Sequence, residues 1–213
     1  MLIHWRLIVA LLCWFPLSGV QAGEQAQTEP ASTILVMGDS LSAEYGLERG
    51  TGWVSLIAKK LSEGKHAYRV QNSSISGDTT AGGVTRLPDA LKQYSPGIVV
   101  IELGSNDALR GLSLSATESN LAKMIQLIQQ SGAQAILVGM EIPPNYGREY
   151  TSQFKQIFTT LAQRHHVRLV PFLLKGIATD RQQFQADGIH PNEAAQPALA
   201  QNVWAELEPA LKQ

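Results

Sequence analysis

Ser40, Asp187 and His190 are the residues whose types and spacing point to chemistry. Ser40 stands in Gly38-Asp39-Ser40-Leu41-Ser42, and the other two stand in Asp187-Gly188-Ile189-His190-Pro191-Asn192. A serine hydroxyl is a weak nucleophile until a base takes its proton. An imidazole does this well when a carboxylate on its other nitrogen fixes the tautomer and stabilises the imidazolium. Asp187 and His190 are three residues apart, so a helical turn or tight loop brings both side chains to one side. An attacked carbonyl also needs donors for its developing negative charge. The main-chain N–H groups of Ser40 and Gly77 and the side-chain amide of Asn106 are the candidates, with glycine at 77 letting the backbone approach a substrate closely. Removing one such donor typically costs ~10²–10³ in turnover.

Each block has an ordinary alternative. Gly-Asp-Ser fits a strand-to-helix loop with serine as the cap. Asp187 and His190 fit a surface pair, Gly77 a turn glycine, and Asn106 a helix cap or Asx-turn. His4, His66, His165 and His166 have no comparable companion and read as structural or solvated. A metal would require Asp39, Asp78, Asp107, Asp187 and His190 to gather at one end of a sheet. No His-x₃-His or Cys-x₂-Cys spacing supports that, so no metal is expected. No phosphate-loop signature is present, and no cofactor is expected.

The elements that must position these residues alternate between short β-branched runs and helical stripes. Ile34 to Met37 reads as a buried strand, followed by Trp53, Leu56, Ile57 and Leu61 on one helical face. A weaker strand spans Tyr68 to Gln71, and Val84, Leu87, Leu91 and Tyr94 mark a helix stopped by Pro96-Gly97. Ile98 to Leu103 is the clearest strand. Ser115 to Glu118 reads as a capping box opening a helix with the stripe Leu121, Met124, Ile125 and Ile128, closed by Gly132. Ala135 to Met140 is a fourth strand and Val167 to Val170 a fifth. Phe154, Ile157, Phe158 and Leu161 mark the helix between them, and Leu199, Val203, Leu207 and Leu211 a closing one. This alternation predicts an α/β fold, a flavodoxin-like three-layer α/β/α sandwich with about five parallel strands. Ligands in such sheets bind beyond the carboxyl ends of the strands, where all four blocks fall.

Composition bounds the rest. The chain has 213 residues, 44% apolar, with a formal net charge of −1, which suits one domain and a sizeable core. There is no Lys/Arg run to attract nucleic acid or an anionic surface. Residues 1–22 read as a secretory signal peptide. Leu7 to Leu17 is almost wholly apolar but short for a membrane span, and Val20-Gln21-Ala22 supplies a cleavage site. An uncleaved anchor is the alternative, and a lipoprotein reading of Cys13 suffers from Leu11-Leu12 before it. Residues 23–32 read as a flexible lead-in, and 33–213 as the domain. Cys13 is the only cysteine, so the expected mature chain lacks disulfides, thiol nucleophiles and thiolate metal ligands.

Taken together, the four blocks resemble the SGNH hydrolases, also called GDSL esterases. Their serine, glycine, asparagine and histidine match Ser40, Gly77, Asn106 and His190 in order and spacing, with Asp187 three before the histidine. The resemblance spans roughly Thr33 to Leu211. It looks closest to the bacterial multifunctional acyl-CoA thioesterases, arylesterases and lysophospholipases, through Ile75 to Thr79, Ala108 to Leu112, Pro144 to Arg148, Asp187 to Asn192 and Ala195-Gln196-Pro197. Ser105 and Glu44 depart from that pattern, and Glu44, close to Ser40, is expected to influence substrate preference. The resemblance implies a periplasmic or secreted serine hydrolase of small acyl esters and thioesters; a monomer, without stable membrane insertion or nucleic-acid binding, is expected. Leu109, Ile142, Pro143 and Tyr146 are expected to line an acyl groove, with packing beneath a loop as the alternative. Rival readings are a deacetylase of cell-wall or surface polysaccharide and a non-catalytic lipid- or glycan-binding protein on the same scaffold.

Overall fold

The computed structural model describes residues 32–64 and 66–211. The signal peptide and nearly all of the lead-in expected from the sequence lie outside them. Five strands form one parallel sheet: β1 (Ser32–Gly38), β2 (Tyr68–Asn72), β3 (Ile98–Glu102), β4 (Gln134–Val138) and β5 (Arg168–Val170). Their order is β2-β1-β3-β4-β5, so β1 and β3 lie side by side at the point where the connections diverge. Six helices cover the sheet: α1 (Trp53–Glu63), α2 (Thr80–Tyr94), α3 (Ser105–Leu109), α4 (Leu114–Gln130), α5 (Arg148–His165) and α6 (Gln196–Leu207). α1 packs on α6, while α4 packs against both α2 and α5. The architecture is the expected three-layer α/β sandwich with five parallel strands.

The strand interiors are continuously apolar because helices cover both faces. Ile34 to Met37, Ile98 to Ile101 and Ala135 to Val138 are all buried. On α4, Leu121, Met124, Ile125 and Ile128 are fully buried, and on α5 Phe154 meets Phe158 edge-to-face at 5.2 Å. Such a pair contributes roughly 0.5–1.5 kcal/mol beyond area burial. Truncating one of these large side chains to alanine typically costs about 2–5 kcal/mol.

Local readings differ from the structure in a few places. On α1 it is Val54, not Leu56, that is buried with Trp53, Ile57 and Leu61. α4 is capped by Ser113, whose side chain accepts the Ala116 N–H, rather than by a Ser115/Glu118 box. Glu118 is thereby free to pair with Arg164 on α5 at 3.0 Å. Gly132 takes a φ of +83° just past the end of α4, as a closing glycine should. Leu211 falls beyond α6, which ends at Leu207. Among the described residues, no helix is long and apolar enough to cross a membrane.

Candidate active site

The chain leaves β1 at Gly38 and turns at once. Ala43 N–H bonds back to the Asp39 carbonyl at 2.9 Å, and Tyr45 N–H to that of Ser40 at 3.3 Å. This is a turn and not the start of a helix, since α1 begins only at Trp53. The Ser40 hydroxyl therefore owes its position to the turn rather than to a helix N-terminus. Gly38 is required there. A Cβ on it would stand 2.6 Å from Ser42 Oγ and 2.9 Å from Glu102 Oε2, closer than real Cβ contacts allow.

His190 arrives from a loop stapled together by its own polar groups. Gln185 N–H donates to the His190 carbonyl at 2.8 Å, and Phe184 and Pro191 form an antiparallel bridge. Arg181 holds the carbonyls of Gln185 and Ala186 at 2.9 and 2.8 Å. Gln185 Nε2 also donates to the Tyr45 carbonyl at 2.8 Å, tying this loop to the turn of Ser40. The tie spans 140 residues of sequence.

The consequence is a continuous line of polar atoms. His190 Nε2 lies 2.9 Å from Ser40 Oγ, and His190 Nδ1 lies 2.7 Å from Asp187 Oδ2. Asp187 Oδ1 accepts the N–H groups of Ile189 and His190 at 2.9 and 3.0 Å. Those N–H groups, with the imidazole, hold the Asp187 carboxyl down at about 2. The Tyr45 ring lies 4.4 Å from the imidazole, centre to centre, a neighbour the sequence did not reveal.

The candidate oxyanion donors come from the neighbouring strand ends. Asn106 sits in α3, just after β3, and its Nδ2 donates one hydrogen to Asp39 Oδ2 at 3.0 Å. An amide nitrogen carries two hydrogens, so one remains for a ligand. Gly77 adopts a φ of +79°, which only glycine takes readily. Its loop is tied to β1 by the Ile75 N–H, which bonds the Gly38 carbonyl at 3.0 Å. Arg110 donates to the Gly77 carbonyl at 2.9 Å.

Beside Ser40, Asn106 and His190 opens a cavity of about 480 Å³, within the usual range for small-molecule sites. Leu109, Ile142 and Pro143 line it, as do Phe172, Leu174 and Phe184, which the sequence reading missed. Those three lie between β5 and His190, where the absence of helical period hid their shared direction. Tyr146 is not among the lining residues. Its hydroxyl donates to the Leu109 carbonyl at 3.2 Å and so braces a residue that does line the cavity. Ser105 also lines it, with a buried Oγ that has no hydrogen-bond partner.

One other expectation changes. The Glu44 carboxylate does not serve the cavity. It accepts the N–H of Gly52 and the hydroxyl of Ser55 at 2.9 and 2.7 Å, as well as the N–H of Gly50. The five residues considered for a metal separate into distinct networks: Asp78 pairs with Arg86, Asp107 takes the Thr80 N–H and hydroxyl, and Asp39 holds Asn106. Among the described residues, no cluster of three or more His, Cys, Asp or Glu side chains is arranged to hold a metal ion.

Residues 36–197 match the GDSL-like Lipase/Acylhydrolase family. The chain belongs to that family. It is thus a carboxylic ester hydrolase. Esterase TesA of Pseudomonas aeruginosa is 48% identical over 185 residues, which cover 87% of this chain and 92% of the relative. Thioesterase 1/protease 1/lysophospholipase L1 of Escherichia coli K12 is 40% identical over 179 residues, covering 84% and 85%. A crystal structure of TesA superposes with a TM-score of 0.83 at 48% identity, covering 84% of this chain and all of the other.

Proposed function

We propose that this GDSL hydrolase cleaves acyl esters and thioesters through an acyl-enzyme on Ser40. The observation that carries the reading is the unbroken line Ser40 Oγ, His190 and Asp187, at 2.9 and 2.7 Å, beside an apolar cavity. His190 Nε2 takes the hydroxyl proton as Ser40 Oγ attacks the carbonyl carbon. The oxyanion receives hydrogen bonds from the N–H groups of Ser40 and Gly77 and from Asn106 Nδ2. The His190 proton passes to the departing alkoxide or thiolate. Water then enters, gives its proton to His190 and releases the acid, restoring Ser40. Asp187 stays ionised throughout and holds the imidazole.

Leu109, Ile142, Pro143, Phe172, Leu174 and Phe184 make a surface suited to an acyl chain. Aryl esters, acyl-CoA and lysophospholipids fit that description, as do the names of the relatives. We also assign residues 1–22 as an export signal, leaving a periplasmic or secreted enzyme.

Two experiments test this. Ser40→Ala should abolish hydrolysis of p-nitrophenyl esters, by about 10⁶-fold in kcat, and block fluorophosphonate labelling. Undiminished turnover by that variant would remove Ser40 from its role. Across an acyl-chain series, kcat/KM should rise from acetyl to medium chains. A flat series would contradict an acyl-binding cavity.

A further inference from the structure

Under the turn of Ser40 lies a carboxyl group that the scheme above does not use. Glu102 ends β3, is fully buried, and pairs in register with Gly38 on β1. Its Oε2 accepts the Ser42 hydroxyl at 2.7 Å and the Asp39 N–H at 3.3 Å, so it clamps the residues on both sides of Ser40. Its Oε1 is buried and receives no donor.

The neighbouring group is the Asp39 carboxyl, 1% exposed. Asp39 Oδ1 accepts the Leu41 N–H and Oδ2 accepts Asn106 Nδ2, both at 3.0 Å. The two carboxyls are close neighbours: the Asp39 N–H bonds Glu102 Oε2, and the charge of Asp39 acts on Glu102. Among the described residues, no Lys or Arg forms an ion pair with either. The groups facing them are His190, Asn106 and the Leu41 N–H around Asp39, and Ser42 and the Asp39 N–H around Glu102.

Two adjacent anions in a dry site without a cation are not sustainable, so the pair must share a proton. An ionised carboxylate can only accept, which would leave Glu102 Oε1 buried and charged with no donor to satisfy it. A proton on Glu102 removes its charge and makes one of its oxygens a donor, so that an Oε1 without a donor is no longer an unsatisfied anion. Burial pushes both carboxyls up, Asp39 to about 6 and Glu102 well above its ordinary range, the latter raised further by the charge of Asp39.

We propose that Glu102 is a positioning residue for the oxyanion site: as a neutral acid it donates to the Asp39 carboxylate, which orients the Asn106 amide, while its other oxygen clamps the Ser40 turn. A hydrogen bond from an acid to a carboxylate is short and strong. It also draws the charge of Asp39 away from the place where the substrate oxyanion forms. The catalytic consequence rests on the proposed reaction, whereas the position of the proton does not.

Infrared spectra of the purified chain at about pH 8, where exposed carboxyls are ionised, test the proton directly. Wild type should show the C=O band of a protonated carboxyl group that shifts in D₂O. Ser40→Ala should keep the band and Glu102→Gln should lose it. No band in wild type, or a band that survives Glu102→Gln, overturns the proposal. In kinetics, Glu102→Leu should lower kcat roughly 10²-fold with KM within about threefold, and Glu102→Gln should restore most of it. Full activity in Glu102→Leu, or Glu102→Gln as slow as Glu102→Leu, also overturns it. Thermal melting separates loss of fold from loss of positioning, and the infrared test on wild type and Glu102→Gln needs no leucine variant. Normal turnover by Ser40→Ala would sink the reaction scheme while leaving the band in place.

Discussion

A single guanidinium nitrogen of Arg110 lies 2.9 Å from the Gly77 carbonyl oxygen and 3.5 Å from Asn106 Oδ1. It therefore links the two candidate oxyanion donors that lie outside the Ser40 turn. Asn106 is steadied from both ends, by Arg110 at its oxygen and by Asp39 at its nitrogen. Arg110 is exposed, so its removal opens no cavity in the core. Arg110→Ala should lower kcat on p-nitrophenyl esters about tenfold with little change in Tm. An unchanged kcat would mean that Gly77 and Asn106 keep their orientation without it.

Asp187 allows a test by pH. Its carboxyl is held at about 2 by the Ile189 N–H, the His190 side chain and the His190 N–H. A group whose pKa is lowered on folding adds stability that is present above its unfolded value, near 4, and is lost as pH falls through about 2. The Asp187 side chain is 38% exposed, so water screens much of that contribution. A ¹³C titration of the Asp187 carboxyl should show it ionised down to about pH 4, and His190→Ala should raise its midpoint by removing the imidazole while the backbone N–H at 190 stays. A midpoint near the ordinary value in wild type would contradict the geometry. Asp187→Asn should lower kcat roughly 10³–10⁴-fold, because the imidazole loses its tautomer and orientation.

Glu44 is a loop anchor. Its backbone sits at φ +59°, a conformation uncommon for a residue with a side chain. Burial pushes its carboxyl up, but the donors Ser55, Gly50 and Gly52, with the charge of Arg49, outweigh this and hold it below its usual range. The stability it lends is present above its unfolded value and fades as pH falls through the lower folded one. Glu44→Ala should cost about 1 kcal/mol, lowering Tm by roughly 2–4 °C, with acyl-chain preference unchanged. A changed preference at unchanged Tm would return Glu44 to the substrate side.

The strands, their parallel arrangement and the four blocks beyond their ends were legible because each depends on local pattern. Apolar runs must be buried on both faces, and the loops that follow them must share one rim. What was hidden depends on partners distant in sequence. Glu102 was in plain sight as the one charge in the run from Ile98 to Leu103, and a charge inside a buried strand is itself a signal. Its meaning needed Asp39 and Ser42, some 60 residues earlier. Glu44 looked like a substrate contact because it is near Ser40 in sequence. Only the fold shows its carboxylate turned toward Gly50, Gly52 and Ser55. Leu174 and Phe184 lie in a segment without period, so nothing local could aim them at the cavity.

The hydroxyl of Ser40 and the imidazole of His190 are 150 residues apart along the chain, just after its first strand and shortly before its last α-helix. On the proposed reaction, during synthesis from the N-terminus the attacking group emerges early and waits for its base until almost the whole polypeptide has been made. On that reaction a nascent or truncated chain is inert toward acyl groups, and ester cleavage reports that folding has reached its final segment.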